Sequence, residues 1–324
     1  MENLLKSKVT FCPGPGAVLK DWYLFQEEFF GRGDKRYKSI KFKTLQWIKK
    51  KSGQDIIIPV AGAGSTAAIV AFNSFLSGNI LIINTGYYSK RWSTYIKNNI
   101  NFKSYKVVNY DDFINEKLKK KKYNWVVFVY VETAHCVKFD LEKVKKISKK
   151  FKSKLILDAT ASIGLEKKHE LADVIFFSSC KGLLGPTGLG FIAYKNKVKF
   201  KNISDFWNNI KTHANSKYTL GYNCIASLYG VSKKHSEYIN KIKYAKSIMK
   251  NYIYQKNPIP LIGIPLKYKL KKKISNTILY EPRDNPGYDL IFFLGIVKFN
   301  KKEIEKILKN RIIKNLNYRI SPRK

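Results

Sequence analysis

Two neighbouring stretches decide the fold: Lys154-Leu155-Ile156-Leu157-Asp158-Ala159-Thr160, and Asp173-Val174-Ile175-Phe176-Phe177-Ser178-Ser179-Cys180-Lys181-Gly182-Leu183-Leu184-Gly185. Each is a short run of apolar residues, rich in Ile, Val or Phe, that stops abruptly in polar ones. A run apolar at consecutive positions is a strand buried on both faces, and such strands belong to parallel sheets covered by helices. Similar runs lie at Ile56 to Val60, Ile80 to Ile83, Trp125 to Val131 and Gly190 to Tyr194. Helical patterns such as Ala67 to Leu76 and Leu141 to Lys150 separate them, with apolar residues three and four apart. Strands alternating with helices predict an α/β domain with a mostly parallel central sheet flanked by helices.

Further out, an amphipathic pattern runs from Cys224 to Tyr254, and Pro258, Pro260 and Pro265 then break helical continuity. The boundary is placed there: a large domain over 16–250, and a small α+β domain made of 1–15 plus 251–324. The latter is expected to contain Ile274 to Tyr280, Leu290 to Leu294 and a helix from Lys301 to Lys309.

The 324 residues, 44% hydrophobic, are enough for a sizeable core. No stretch approaches the roughly 20 apolar residues of a membrane span, and the first residues lack the apolar run of a signal peptide, so the cytoplasm is the expected location. Cys12, Cys136, Cys180 and Cys224 are far apart, with no Cys-x-x-Cys pair, which predicts neither a zinc site nor a disulfide framework. His169, His213 and His235 show no metal-ligand spacing, and no metal is expected. The net charge of +39 suits anionic ligands, but no nucleic-acid-binding signature accompanies it and the lysines are spread over the whole chain.

In open α/β sheets ligands bind beyond the carboxyl ends of the strands. Three such ends carry suitable chemistry. Gly62-Ala63-Gly64-Ser65-Thr66 follows a strand and opens a helix, where free backbone N–H groups and the helix dipole favour a phosphate; an ordinary N-cap looks the same. Asp158 is a carboxylate at a buried strand end, where something positive should face it, although a helix-capping Asp is the plainer alternative. Lys181 lies between an apolar strand and a Gly-rich loop rather than on a charged helix face. A lysine so placed suits Schiff-base chemistry.

The order of these elements, phosphate loop, strand-Asp, strand-Ser-Ser-x-Lys-Gly, resembles the class V aminotransferases of the fold type I pyridoxal-phosphate enzymes. Within them it is most similar to 2-aminoethylphosphonate–pyruvate transaminase and the alanine or serine–glyoxylate transaminases. The resemblance spans Phe11 to Tyr229 and implies pyridoxal 5'-phosphate as cofactor. It implies that Lys181 holds the cofactor as a Schiff base, that Asp158 partners the ring nitrogen, and that Thr160 packs on the ring. Gly64, Ser65, Thr66 and Ser179 fall at the phosphate end, Tyr88 where an aromatic ring stacks on the cofactor, and Thr133 of Glu132-Thr133 where a hydroxyl bonds the ring. Pro13 and Gly14, in Phe11-Cys12-Pro13-Gly14-Pro15-Gly16, border the substrate. Lys217-Tyr218-Thr219 resembles the segment by which a neighbouring subunit reaches the phosphate, so Thr219 and a homodimer are implied. The expected reaction is transamination of 2-aminoethylphosphonate or a small amino acid with pyruvate or glyoxylate.

Two departures stand out. Cys180 occupies the place before the lysine where the family has Asn, Gln or His. The late Arg-Ile-Gly motif, whose Arg grips the substrate carboxylate, has no counterpart around Phe292-Phe293-Leu294-Gly295, which leaves Arg32 and Arg319 as candidates. His135 is read as structural. A cysteine desulfurase or related lyase of the same fold is an alternative, with no Cys after Cys224 to serve as its mobile thiol. A cofactor-binding partner protein without catalysis is another.

Overall fold

A computed structural model of the chain describes residues 8–26, 31, 33–117, 122–215, 221–254 and 258–319. Its centre is a sheet of seven strands: β1 Ile56–Ala61, β2 Asn79–Asn84, β3 Ser104–Asn109, β4 Trp125–Val129, β5 Lys154–Asp158, β6 Val174–Ser178 and β7 Leu189–Tyr194. They lie in the order β3-β2-β4-β5-β6-β7-β1, with β7 antiparallel to both neighbours and every other pairing parallel. This is the mostly parallel α/β architecture the resemblance implies. β4 and β6 are buried along their whole length, as their uninterrupted apolar runs require.

β3 had no counterpart among the expected strands. It is an edge strand bonded only to β2, and its sequence, Ser104-Tyr105-Lys106-Val107-Val108-Asn109, buries only Val108 well, so it lacks the continuous apolar run of its neighbours. Conversely, only Thr277–Ile278 of the expected Ile274 to Tyr280 run is strand.

Helices cover both faces: α1 Lys35–Ser52, α2 Gly64–Phe75, α3 Tyr87–Asn99, α4 Leu141–Lys150 and α5 Tyr222–Ile248. α4 shows the local logic. Asp140 accepts from the Lys143 N–H at 3.0 Å and starts the helix, and Leu141, Val144, Ile147 and Ser148 form its buried stripe. α2 is apolar nearly all round and sits on the face of β6 and β7 that carries Phe176 and Ile192.

The later part of the chain forms small antiparallel pairs, Gly263–Pro265 with Leu290–Phe292 and Tyr268–Leu270 with Leu316–Arg319, and the helix α6 Lys301–Ile307, which packs against α5. The amino-terminal Val9–Thr10 pairs in parallel with Thr277–Ile278. The segment then passes beside Lys181: the Gly16 N–H donates to the Cys180 carbonyl at 3.3 Å and the Ala17 N–H to the Leu294 carbonyl at 3.1 Å. Among the described residues no helix is long and apolar enough to cross a membrane.

Candidate active site

Sheet register brings the polar strand ends together. Val129 faces Asp158 across β4 and β5, Ser178 faces Gly190 across β6 and β7, and Leu189 faces Ala61 across β7 and β1. Because β7 alone runs backwards, its first residue lies at the same sheet edge as the last residues of the others. The turns after β1, β4, β5 and β6 therefore surround one cavity of about 180 Å³, whose lining includes Gly64, Tyr88, Thr133, Asp158, Lys181 and Arg283. Two larger clefts, of about 590 and 600 Å³, lie elsewhere, around Glu166 and Lys246 and around Lys50 and Lys243. Neither carries a strand-end constellation, so the smaller cavity is the chemically informative one.

Asp158 is buried, and both its oxygens are held: Oδ1 accepts the Thr160 N–H and Oδ2 accepts the Trp92 indole N–H, each at 2.8 Å. Lys181 projects over the Tyr88 ring, with Nζ 5.5 Å from its centroid. Gly14 backs onto the lysine stem, where a Cβ would stand 2.8 Å from Lys181 Cγ. Pro13 is buried beside it, and the turn after Lys181 is fixed from behind by His235, whose Nε2–H donates to the Gly182 carbonyl at 2.7 Å.

At the amino end of α2, Gly64 approaches β6 so closely that a Cβ would lie 3.0 Å from the Ser178 Cβ and 3.4 Å from Thr160 Cγ2. The N–H groups of Gly64 and Ser65 belong to the first turn and have no intrahelical acceptor, so they are available to an anion. Thr66 is different. Its hydroxyl accepts the Ala63 N–H at 3.2 Å and its own N–H donates to the Ala63 carbonyl, so it shapes the turn rather than facing the cavity. Ser179 is also corrected: its hydroxyl donates to the Pro186 carbonyl, and Ser178 lines the cavity in its place. Side chains alternate along a strand, so adjacent serines face opposite sides of the sheet. The Ser178 hydroxyl and Cys180 Sγ are 3.1 Å apart, and both border the cavity.

Thr133 Oγ1 is fully buried at the cavity and has no hydrogen-bond partner among the described residues. A buried hydroxyl without a partner is costly unless a ligand satisfies it. With the free helix amides, the strand-end carboxylate and the lysine, this donor set fits pyridoxal phosphate. Glu132 beside it accepts the Tyr88 N–H at 2.9 Å and the Ala134 N–H at 3.0 Å. Burial pushes its carboxyl up to about 7 and the Asp158 charge adds to this, against the pull of those N–H groups and of Lys181.

Of the proposed substrate arginines, Arg32 lies outside the described residues, as does Thr219 with the rest of Lys217-Tyr218-Thr219. Arg319 ends a strand paired with Tyr268–Leu270. Among the described residues the arginines lining the cavity are Arg91, one turn along α3, and Arg283, which lies near the Tyr88 and Tyr87 hydroxyls. Arg283 carried no sequence signal, since Glu281-Pro282-Arg283-Asp284-Asn285 resembles an ordinary surface turn. Its loop is tied to the turn after β4 through His135, whose Nε2 is 3.4 Å from Asp284 Oδ2 and whose carbonyl accepts the Tyr288 hydroxyl at 3.0 Å. Trp92 was likewise missed. Among the described residues no cluster of His, Cys, Asp and Glu is arranged to hold a metal ion.

No curated protein matches the chain by sequence. Its fold is similar to that of the pyridoxamine–pyruvate aminotransferase from Mesorhizobium loti, at 13% identity and a TM-score of 0.77, covering 93% of this chain and 91% of that one. It is similar also to the alanine–glyoxylate aminotransferase from Nostoc sp., at 13% identity and TM-score 0.76 with 94% of each chain covered. The cysteine desulfurase from Thermococcus onnurineus gives 14% identity and TM-score 0.66, with 95% and 96% covered. These likenesses extend well into the carboxyl-terminal part, where the sequence resemblance fades. The family model "Aminotransferase class-V" matches residues 27–256, and the chain belongs to that family, with pyridoxal 5'-phosphate as its cofactor.

Proposed function

We propose that the protein is a transaminase that takes an amine bearing one acidic group, such as 2-aminoethylphosphonate or a small amino acid, and passes its amino group to pyruvate or glyoxylate. The observation that carries this reading is the presence of Lys181 and Arg283 in one cavity with Asp158. An attachment lysine alone suits any enzyme of the family. A guanidinium at the lip adds a receptor for a substrate carboxylate or phosphonate.

Pyridoxal phosphate, when bound, supplies the electron sink for breaking a bond at the substrate carbon. The chain supplies position and charge. Gly64 and Ser65 offer backbone N–H groups to the phosphate, Thr133 offers its hydroxyl and Asp158 its carboxylate to the ring, and Tyr88 offers a face for the ring to lie on. Lys181 Nζ would be the base that moves a proton between the substrate carbon and the cofactor carbon. Arg283 holds the acid group. A homodimer in which 217–219 of a second copy reach the phosphate, and a cytoplasmic location, belong to the same proposal.

Desulfuration is the weaker reading. Cys224 is the last cysteine; burial raises its thiol pKa, and its Sγ lies 3.3 Å from the Thr187 carbonyl, which suits a packed thiol better than a mobile nucleophile.

The test is a half-reaction. Protein loaded with cofactor should absorb in the visible range, and borohydride should fix the cofactor to the wild type but not to Lys181→Ala. Mixing with a panel of amines should bleach the band for acidic donors only. An unchanged covalent adduct in Lys181→Ala would sink the assignment. A band that no amine bleaches would favour a cofactor-binding partner protein.

A further inference from the structure

We propose that Trp92 is a positioning residue for Asp158, holding through its indole N–H the carboxylate that meets the cofactor ring; this rests on the reading of the cavity as the cofactor site. The bond is short and dry. Nε1 is 2.8 Å from Oδ2, Trp92 is 4% exposed and Asp158 is 6% exposed. Thr160 holds the other oxygen at 2.8 Å from the opposite end of the carboxylate. With one lone pair of each oxygen committed to the protein, the plane of the group is fixed, and the remaining lone pairs are what a ring N–H can meet.

A buried indole must find an acceptor somewhere, so the bond alone says little. Its support says more. The indole is packed edge-on against Phe72, at 5.6 Å between centroids, and Phe176, at 5.8 Å, and the Arg91 guanidinium lies 5.0 Å from its ring. It cannot follow Asp158 if the carboxylate turns. Trp92 also lies one turn beyond Tyr88 on α3, so the residue beneath the ring and the residue behind the carboxylate share one rigid element. The start of that element is fixed from the site itself: Glu132 Oε2 accepts the Tyr88 N–H, and the Ser89 hydroxyl accepts the N–H groups of Thr85 and Gly86 at 2.7 and 3.0 Å. Helix α3 therefore delivers two groups to one ligand in a fixed relation.

Trp92→Phe keeps an aromatic ring and removes the donor. In the full chain it should weaken cofactor affinity about tenfold, in line with loss of one hydrogen bond to a charged group, and shift the visible band of the bound cofactor or the pH at which that band titrates. A double-mutant cycle with Asp158→Ala makes the role specific: the effect of Trp92→Phe should disappear when the carboxylate is already gone. If Trp92→Phe does not fold, benzothienylalanine at position 92 keeps the bicyclic shape without the N–H and answers the same question. A lowered melting temperature with affinity and band unchanged, or losses that add in the double variant, would overturn the inference. A wild type that shows no cofactor band at all overturns the reading of the site, and the inference with it.

Discussion

The floor and the lip of the cavity are built by different means. The floor is made of strand ends and the first turn of a helix, and its groups are buried and held by backbone N–H groups or packed aromatic rings, as Asp158 is by Thr160 and Trp92. The lip is the loop carrying Arg283, tied down by the half-exposed His135–Asp284 pair at 3.4 Å and the Tyr288 hydroxyl. Rigid elements suit a cofactor that every turnover uses. A loop held by surface-grade contacts suits a contact that has to change between substrates. Substitutions in the floor should therefore act on cofactor chemistry, and those in the lip on KM.

The largest separation is expected at Asp158. Asp158→Asn keeps the shape and removes the charge, and kcat should fall by about 10²- to 10³-fold while the acid donor still binds, the usual scale for losing one preorganised electrostatic group. Stopped-flow bleaching of the cofactor band measures it. A loss confined to KM would erase the distinction between floor and lip.

Arg283→Gln should do the converse. Losing a charge-assisted contact made in ground and transition states alike raises KM for acidic donors by about 10- to 100-fold with kcat little changed. The visible band and borohydride trapping should match the wild type. If the variant instead loses cofactor, Arg283 belongs to the floor.

Glu132 tests the floor through pH. Its carboxyl is raised to about 7 by burial, so the folded state binds a proton that the unfolded chain, titrating near 4.5, releases. The stabilising effect of that proton is fully present at acid pH and is lost as pH rises through 7. Between pH 5.5 and 8 this amounts to about 2 kcal/mol. His169 and His235, brought down to about 4 by burial, act oppositely: they are neutral when folded, and stability falls as pH drops below 6.5. The difference between wild type and Glu132→Gln isolates the carboxylate. Denaturant titrations of cofactor-free protein should show stability falling less with rising pH in the variant, and parallel curves would remove Glu132 from the account.

Asp158 and Lys181 were legible in the sequence because a charge at the end of an apolar strand is costly unless it has work there, and the strand itself announces the end. Serine choice was not, because Ser178 and Ser179 differ only in which face of the sheet they meet, and a shift of one residue reverses the faces. Ser178 shares a face with Phe176, beneath α2, while Phe177 looks to the other core. Trp92 was hidden for a related reason: the residue it serves is 66 positions away, and only the packing of α3 on β2 and β4, beside β5, brings them together. Arg283 was hidden because turn residues carry no periodicity. The lip is written in tertiary contacts, the floor largely in local pattern.

The smallest effect tests that last statement. Asp284→Asn removes one side of the pair with His135 without touching Arg283. Desolvation lowers the His135 pKa below its ordinary value, and both partners keep substantial contact with water, so the pair contributes at the scale of surface ion pairs, up to about 1 kcal/mol. KM for an acidic donor should then rise no more than about fivefold, and the rise should shrink in high salt and above pH 7, where His135 is neutral in either protein. Steady-state kinetics at two pH values and two salt concentrations give the comparison. An effect as large as that of Arg283→Gln would mean that loop position, not the guanidinium, limits binding. No effect at any pH would leave the Tyr288 bond to the His135 carbonyl as the restraint that holds the lip, and Tyr288→Phe would then be expected to raise KM in its place.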